Sequence, residues 1–136
     1  KREYAPRINF DRRVALVKYY PGLDPKIIDY IISSGYKAII FEGTGLGHIG
    51  KIMYEYVGKA KKKGLFMGMT SQCIDGMVRM TVYESGRDLL NLGIIPLSNM
   101  IPETALVKAM WALGNSKNSE GVEKLMKENI ASEFSD

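Results

Sequence analysis

Glycines cluster around the only histidine of the chain in the stretch "FEGTGLGHIG", which covers residues 41 to 50. Gly45, Gly47 and Gly50 satisfy the spacing G-x-G-x-x-G, with which nucleotide-binding proteins turn the chain and bring backbone N–H groups close to a phosphate. Glycines at such a crossing also serve purely to turn the chain and let a helix pack on a strand. His48 is placed to hydrogen-bond whatever binds there. The stretch therefore predicts either a ligand-binding loop or a tight structural turn.

Neither of two common nucleotide sites is completed by the neighbouring residues. A dinucleotide site needs an acidic residue about twenty positions further on to hold the ribose hydroxyls. That region is "KKKGLF", and the intervening Glu55 is in the middle of a predicted helix. A P-loop needs Ser or Thr after its lysine to hold magnesium, and here Ile52 follows Lys51. A nucleotide-binding domain is thus supported by the glycines alone.

Three strands with intervening helices are predicted to position this loop. The pattern predicts, in chain order, a strand over 14 to 20, a helix over 26 to 35, a strand over 37 to 42, a helix over about 49 to 63 and a strand over 65 to 71. Asp24 and Pro25 are typical of a helix start, and Gly35 and Gly64 of helix ends. Short connections imply parallel pairing, hence an α/β three-layer sandwich with a small, mainly parallel sheet flanked by helices. The loop then lies at the carboxyl end of a strand, where such sheets bind ligands.

The remaining elements are less regular. Residues 76 to 86 are predicted to carry a short strand, and helices are expected over 87 to 93, 102 to 114 and 118 to about 130. Helical spacing predicts buried stripes at Ile27, Ile28, Ile31 and Ile32, at Ile52, Met53, Tyr56 and Val57, and at Val122, Leu125, Met126 and Ile130.

Composition excludes several classes of protein. A chain of 136 residues with 46% hydrophobic and 25% charged residues is typical of one globular domain. The lone Cys73 and lone His48 exclude a disulfide framework and a zinc cluster built from these ligands, so no metal site is expected. No apolar run is long enough to cross a bilayer, and no secretory signal is visible. A cytoplasmic protein without membrane contact is therefore expected.

Charge is distributed unevenly along the chain. Its net charge is +4, and residues 1 to 13 carry five Lys or Arg against two acids. This polar, non-periodic segment predicts a linker, with the domain itself covering 14 to 136. The lysines of "KAKKKG" are predicted to be the solvated last turn of a helix in preference to a nucleic-acid patch, because no aromatic or arginine-rich companion accompanies them.

Four segments in the right order carry a family resemblance over about residues 14 to 114. They are "VALVKYYPGLDPKIIDYII", "YKAIIFEGTGLGH", "TSQCIDGMVRMTVYESGRDLLNLGIIP" and "MIPETALVKAMWALG". Together they resemble the C-terminal domain of the type I L-asparaginase family of amidohydrolases and, within it, the archaeal glutamyl-tRNA(Gln) amidotransferase D subunits. The discriminating piece is "EGTGLGH", because the corresponding asparaginase loop usually ends in Gly-Asn.

The resemblance implies a two-domain amidohydrolase whose larger N-terminal domain carries the catalytic threonines. Such a protein releases ammonia from glutamine or asparagine. In the amidotransferase, the E subunit uses ATP and Mg²⁺ to activate Glu-tRNA(Gln), and the ammonia converts it to Gln-tRNA(Gln). Proteins of this family pair as homodimers, so that a C-terminal domain closes the neighbour's site. The nucleophile motifs are absent here, so this chain alone is expected to lack catalytic residues and cofactors, and to meet tRNA(Gln) only indirectly.

The resemblance also implies that this domain contributes one wall of the substrate-binding site of the neighbouring protomer, here called the substrate wall. In the asparaginases, the Gly-Asn asparagine and a downstream glutamate approach the substrate amino group. His48 occupies the asparagine position, Glu84 beside Tyr83 is the nearest candidate for the glutamate, and the loop residues Thr44, Gly45 and Gly47 line the same wall. Alternatively, Tyr83 is a core residue and Glu84 is solvated.

Two other functions remain open at this point. One is a cytoplasmic type I L-asparaginase, which would share the fold and the wall. The other is an independent, non-catalytic α/β binding module.

Overall fold

A four-stranded parallel sheet forms the centre of the computed structural model, which describes residues 3 to 135. The strands are β1 (Val14–Lys18), β2 (Ala38–Gly43), β3 (Phe66–Ser71) and β4 (Ile95–Pro96), in the order β1-β2-β3-β4. The helices are α1 (Lys26–Ser33), α2 (Tyr54–Lys62), α3 (Glu84–Asn91), α4 (Pro102–Gly114) and α5 (Ser119–Lys127), and a 3₁₀ turn, Lys51–Met53, precedes α2. All neighbouring strands run parallel, with Ala38 opposite both Val14 and Phe66.

The sheet is covered on both faces, which makes the predicted three layers. Along β2, Ile39 and Phe41 pack into the cluster under α1, α2 and α3, whereas Ala38 and Ile40 pack under α4 and α5. All four side chains are fully buried. Alternate residues of a strand point to opposite faces, so a continuously apolar strand requires cover on both sides.

Polar residues and a proline define three helix starts. The backbone N–H of Lys26 donates to the Asp24 carboxylate at 2.9 Å, so Asp24 satisfies a donor at the start of α1, although the helix begins at Lys26 and Pro25 stands at its cap position. Pro102 is the first residue of α4, and the Asn118 side chain accepts from Gly121 at the start of α5. Each arrangement satisfies or avoids a backbone donor that the helix itself leaves unpaired.

The structure corrects the prediction for residues 72 to 94. No strand forms in 76 to 86, and α3 begins at Glu84 instead of Arg87. The two-residue β4 was missed. It contains Pro96, which sequence patterns count against a strand, but it lies at the sheet edge, where a missing N–H is tolerated.

Three isoleucines assigned to buried stripes are exposed instead. Ile27 is 37% exposed, Ile52 65% and Ile130 50%. Ile27 and Ile28 are adjacent and project about 100° apart, so a single helix face buries only one of them fully. Ile52 lies in the 3₁₀ turn before α2, and Ile130 lies beyond the end of α5 at Lys127, so helical spacing does not apply to either.

Residues 3 to 13 contain no regular secondary structure and contact α4. The backbone N–H of Asp11 donates to the Met110 carbonyl, the Trp111 indole donates to the Arg7 carbonyl, and a side-chain amide directly after α4 donates to the Asn9 carbonyl. The linker role of residues 1 to 13 stays a prediction, and residues 1 and 2 lie outside the described part. Within residues 3 to 135, no helix has the length and apolar character needed to cross a membrane.

Candidate functional site

The glycine-rich loop is a tight turn directly after β2. The Thr44 N–H donates to the His48 carbonyl at 2.9 Å, and the Gly47 and His48 N–H groups both donate to the Thr44 carbonyl, at 3.0 and 2.9 Å. These bonds close the five-residue turn on itself and fix His48 at its end, on the carboxyl edge of the sheet. The backbone donors of Thr44, Gly47 and His48 are therefore used inside the turn.

The glycines of the loop are required by backbone geometry or packing. Gly47 has φ +101°, and a Cβ there would lie 2.8 Å from Val78 Cγ1. Gly45 has φ +53°, in the left-handed region. A Cβ at Gly50 would overlap the Tyr19 hydroxyl. The structural requirement thus accounts for all three glycines of the G-x-G-x-x-G pattern.

The His48 side chain is half-buried against the start of α3. Ser85 Oγ lies 3.1 Å from each of the two imidazole nitrogens, within hydrogen-bond distance of both. The Tyr83 ring lies beside the imidazole, with the centroids 5.7 Å apart and the planes inclined by 43°. His48 is therefore held between a hydroxyl and an aromatic ring.

The first turn of α3 is in turn anchored to α2. The Tyr54 hydroxyl donates to the Ser85 carbonyl at 3.1 Å. Burial raises the pKa of Tyr54, and the negative charge of Asp88 raises it further, so Tyr54 remains the protonated donor at neutral pH. The chain of contacts from Tyr54 through Ser85 to His48 links two helices to the loop.

The structure brings Tyr83 beside His48 at the end of the loop of residues 44 to 48, whereas no hydrogen bond or ion pair in the described part of the chain joins Glu84 to that loop. Tyr83 is 54% exposed, so the alternative of a core tyrosine is wrong. The other part of that alternative, a solvated Glu84, is confirmed: Glu84 is exposed as the first residue of α3, where the positive end of the helix dipole favours a carboxylate. The substrate-binding roles of Thr44, Gly45, Gly47, His48, Tyr83 and Glu84 stay predictions.

Sequence reasoning missed Ser85. The sequence prediction places Ser85 near the end of a segment with a short strand, before a helix that begins at Arg87, whereas the observed helix begins at Glu84 and brings Ser85 beside His48. The available signal was the pair Tyr83 and Glu84 before a small residue, which suits an earlier helix start.

The threonines of the chain show no catalytic arrangement. Thr70 is buried and donates to the Phe41 carbonyl at 2.8 Å, and Thr44 Oγ1 lies 3.4 Å from the His48 carbonyl. In residues 3 to 135, no hydrogen bond joins a threonine hydroxyl to a side-chain base, the contact that an activated nucleophile requires.

Replacing Gly86 with alanine is expected to loosen this site. A Cβ at Gly86 would overlap the Met80 carbonyl, so the first turn of α3 must move. We expect the free energy of unfolding, measured by urea titration, to fall by about 2 to 3 kcal/mol. Gly58→Ala is the matched control, because the added Cβ meets nothing within 4 Å inside α2. It should be neutral or stabilise by up to about 1 kcal/mol, and equal losses in both variants would contradict the packing argument.

Comparison with known proteins places the fold and the loop in one family. The family model of the Glutaminase/Asparaginase C-terminal domain matches residues 13 to 126. The D subunit of the glutamyl-tRNA(Gln) amidotransferase of Metallosphaera sedula is 52% identical over 125 residues, which are 92% of this chain and 28% of that protein. The D subunit of the Sulfurisphaera tokodaii enzyme is 51% identical over 134 residues, 98% of this chain and 30% of that protein.

Solved structures agree with the family assignment. The thermostable L-asparaginase from Thermococcus kodakarensis superposes with a TM-score of 0.85 at 34% identity, over 94% of this chain and 39% of that one. L-asparaginase I from Vibrio cholerae gives a TM-score of 0.80 at 25% identity, over 90% of this chain and 38% of that one. The chain thus spans under a third of the length of the curated relatives above. From sequence, fold and loop together, it belongs to the glutaminase/asparaginase C-terminal domain family.

Proposed function

We propose that this chain is the C-terminal domain of the ammonia-releasing amidohydrolase subunit of a tRNA-dependent amidotransferase. The full-length protein hydrolyses the side-chain amide of glutamine or asparagine, and the ammonia converts Glu-tRNA(Gln) to Gln-tRNA(Gln). The domain contributes to the homodimer and closes the neighbour's active site. Identities of about half to amidotransferase D subunits, over more than nine-tenths of this chain, support the assignment.

The observation that carries the proposal is the fixed, half-buried His48 beside Ser85 and Tyr83. A free amino acid carries an ammonium group, and a neutral imidazole accepts a hydrogen bond from it. A protonated imidazole repels the same group. The exposed carboxylate of Glu84 adds a charge-assisted acceptor, which binds about twice as strongly as a neutral one. The wall therefore suits the amino end of an amino-acid substrate, while the hydrolytic residues come from elsewhere.

Partners follow from the same assignment. The amidotransferase E subunit binds Glu-tRNA(Gln) and uses ATP and Mg²⁺, whereas this domain holds no cofactor and meets tRNA(Gln) only through the complex. The full-length protein works in the cytoplasm. The isolated chain is expected to hydrolyse neither glutamine nor asparagine, because no activated nucleophile is found among residues 3 to 135.

A type I L-asparaginase is the second candidate. The observation in its favour is the superposition on the Thermococcus kodakarensis L-asparaginase, with a TM-score of 0.85. It differs in substrate and partner, because an asparaginase prefers asparagine and works without the E subunit.

Ammonia release by the full-length protein separates the two candidates. We expect this protein, co-expressed with its E subunit, to release ammonia from glutamine, with a rate that rises when Glu-tRNA(Gln) and ATP are added. Asparagine hydrolysis at full rate by the full-length protein alone, without response to the E subunit, would replace the amidotransferase by the asparaginase. Activity of the isolated 136-residue chain would contradict both.

A further inference from the structure

A cleft lies at the amino edge of the sheet, at the opposite end from the His48 loop. Its volume is about 270 Å³, and its walls come from the starts of β1, β2 and β3 and from the segment before α5. Arg13, Lys37 and Lys117 line it, each supplied by a different part of the fold. Parallel strands bring their amino ends to one edge, so residues far apart in sequence meet there.

The cleft has an excess of positive charge. Lys37 and Lys117 are not buried, and neither forms an ion pair with a carboxylate of residues 3 to 135. Asp11 is the one acidic residue in the lining that the described chain supplies. Gly64 also lines it, directly after the lysines that end α2. Cations gathered in a concave surface focus the positive potential on its interior and attract an anion.

Asp11 neutralises only part of this charge. Its carboxylate accepts from Nε and Nη2 of Arg13 at 2.7 to 3.2 Å, which leaves the remaining guanidinium N–H groups for a ligand. The hydrogen bond from Arg13 lowers the pKa of Asp11, and the charges of Arg13 and Lys37 lower it further. Arg13 is thus held by Asp11 in a fixed position on the wall.

Neutral donors complete the lining. Ser116 lines the cleft, and its buried Oγ has no hydrogen-bond partner in the described part of the chain. Ser119, the first residue of the nine-residue α5, lines it as well, so the positive end of that helix adds to the potential.

From this geometry we propose that the cleft between Arg13, Lys37 and Lys117 binds a phosphate group. Two lysine ammonium groups and the guanidinium N–H groups that Asp11 leaves unused supply charge-assisted hydrogen bonds to phosphate oxygens. The phosphate comes from either a small free anion or the backbone of an RNA strand. The site is separate from the His48 wall and does not depend on the function proposed above.

Titrations of the 136-residue chain with inorganic phosphate and with a short fluorescein-labelled RNA test the proposal. We expect phosphate to shift the backbone amide resonances of Lys37 and Lys117. The double variant Lys37→Gln with Lys117→Gln should weaken phosphate binding about tenfold or more. Lys26→Gln is the matched control, because Lys26 is exposed at the opposite edge of the sheet.

The two sources give different results. If the natural ligand is a small anion, phosphate binds and the RNA does not. If it is an RNA backbone, the RNA binds, phosphate competes with it, and the logarithm of its association constant falls with the logarithm of salt concentration, with a slope of about −0.7 per phosphate contact. An absence of amide shifts with phosphate, or equal weakening by Lys26→Gln and the double variant, would overturn the proposal.

Discussion

Replacing Lys108 with methionine is expected to lower the free energy of unfolding by about 3 kcal/mol. The Lys108 side chain is 4% exposed, and its Nζ lies 3.1 Å from Oε1 of Glu133, which is 13% exposed. Nζ also donates to the Glu128 carbonyl and lies 5.3 Å from the centre of the Phe134 ring. Methionine keeps the length and the apolar stem of lysine, so the fall in the free energy of unfolding measures the contribution of the buried charge and its hydrogen bonds. Glu133 would keep two backbone donors at 2.9 Å, those of Ile130 and Ala131, which holds the loss at the low end of the range for broken buried pairs.

The ion pair of Lys108 and Glu133 also makes stability depend on pH. Burial raises the pKa of Glu133, but hydrogen bonds from the Ala131 and Glu133 backbone, the Lys108 ammonium and the Ile130 backbone together lower it to about 2, from an ordinary 4.5. A lowered carboxyl pKa adds stability that is fully present above pH 4.5 and is lost as the pH falls towards 2. The difference corresponds to about 3 kcal/mol. We expect Glu133→Gln to remove this part of the acid dependence.

Urea titrations at neutral pH and at about pH 3 measure both effects. The exposed ion pair of Lys127 and Glu123, with side chains 55% and 38% exposed, provides the control. Lys127→Met should cost less than about 1 kcal/mol, because water screens an exposed pair. If Lys108→Met lowers the free energy of unfolding no more than Lys127→Met does, the segment after α5 contributes no stability by packing on α4.

Lys108 illustrates what could not be predicted from sequence. Helical periodicity and Pro102 predict α4 correctly, but a lysine in that pattern is assigned to the solvated face. Its burial depends on Glu133, which is distant in sequence and lies in a segment without regular structure. Contacts made by irregular segments leave no periodic signal, and for the same reason the exposure of Ile130 was missed.

The sheet shows where local signals suffice. The buried runs of β2 and β3, the Asp24 cap and Pro102 act within a few residues, so the order of these elements and the three layers could be predicted. The two-residue β4 forms only because the edge of β3 is available for pairing, and this depends on the tertiary structure. At the site, the position of His48 after the strand was predictable, but Ser85 was not, because its direction depends on where α3 starts.

In the full-length protein, His48→Ala is expected to lower kcat/KM for glutamine by about 10- to 100-fold, which corresponds to a lost hydrogen bond to a charged group. In the proposed function the contact is made to the substrate ammonium, which does not change during amide hydrolysis. The loss should therefore appear mainly in KM. Cys73→Ser, an exposed position outside the site, is expected to leave both constants unchanged. An unchanged KM in His48→Ala with a normally folded protein would remove His48 from the substrate wall.

Two further variants distinguish a direct contact from a structural role. His48→Asn restores the residue of the asparaginase loop and keeps a neutral hydrogen-bond acceptor, so we expect it to regain much of the activity lost in His48→Ala. Equal losses in His48→Asn and His48→Ala would argue against a hydrogen-bond acceptor at this position. Ser85→Ala should raise KM less than His48→Ala, because in the proposed wall Ser85 holds the ring and His48 makes the substrate contact.

Mixed dimers test whether His48 contributes to the active site of its own protomer or to that of the neighbouring protomer. In the proposed homodimer, when His48→Ala protomers are combined with protomers lacking the catalytic threonine, a heterodimer contains one site with an intact nucleophile and, across the interface, an intact His48. Random assortment into two-fold dimers then restores about a quarter of native activity, although neither parent is efficient. If His48 serves its own protomer, every site of the mixture lacks one of the two groups, and activity stays at or below that of the His48→Ala parent. The two arrangements contain the same residues and differ only in which chain supplies His48 to a given active site. The mixed dimers therefore distinguish a His48 that serves the neighbouring protomer from one that serves its own.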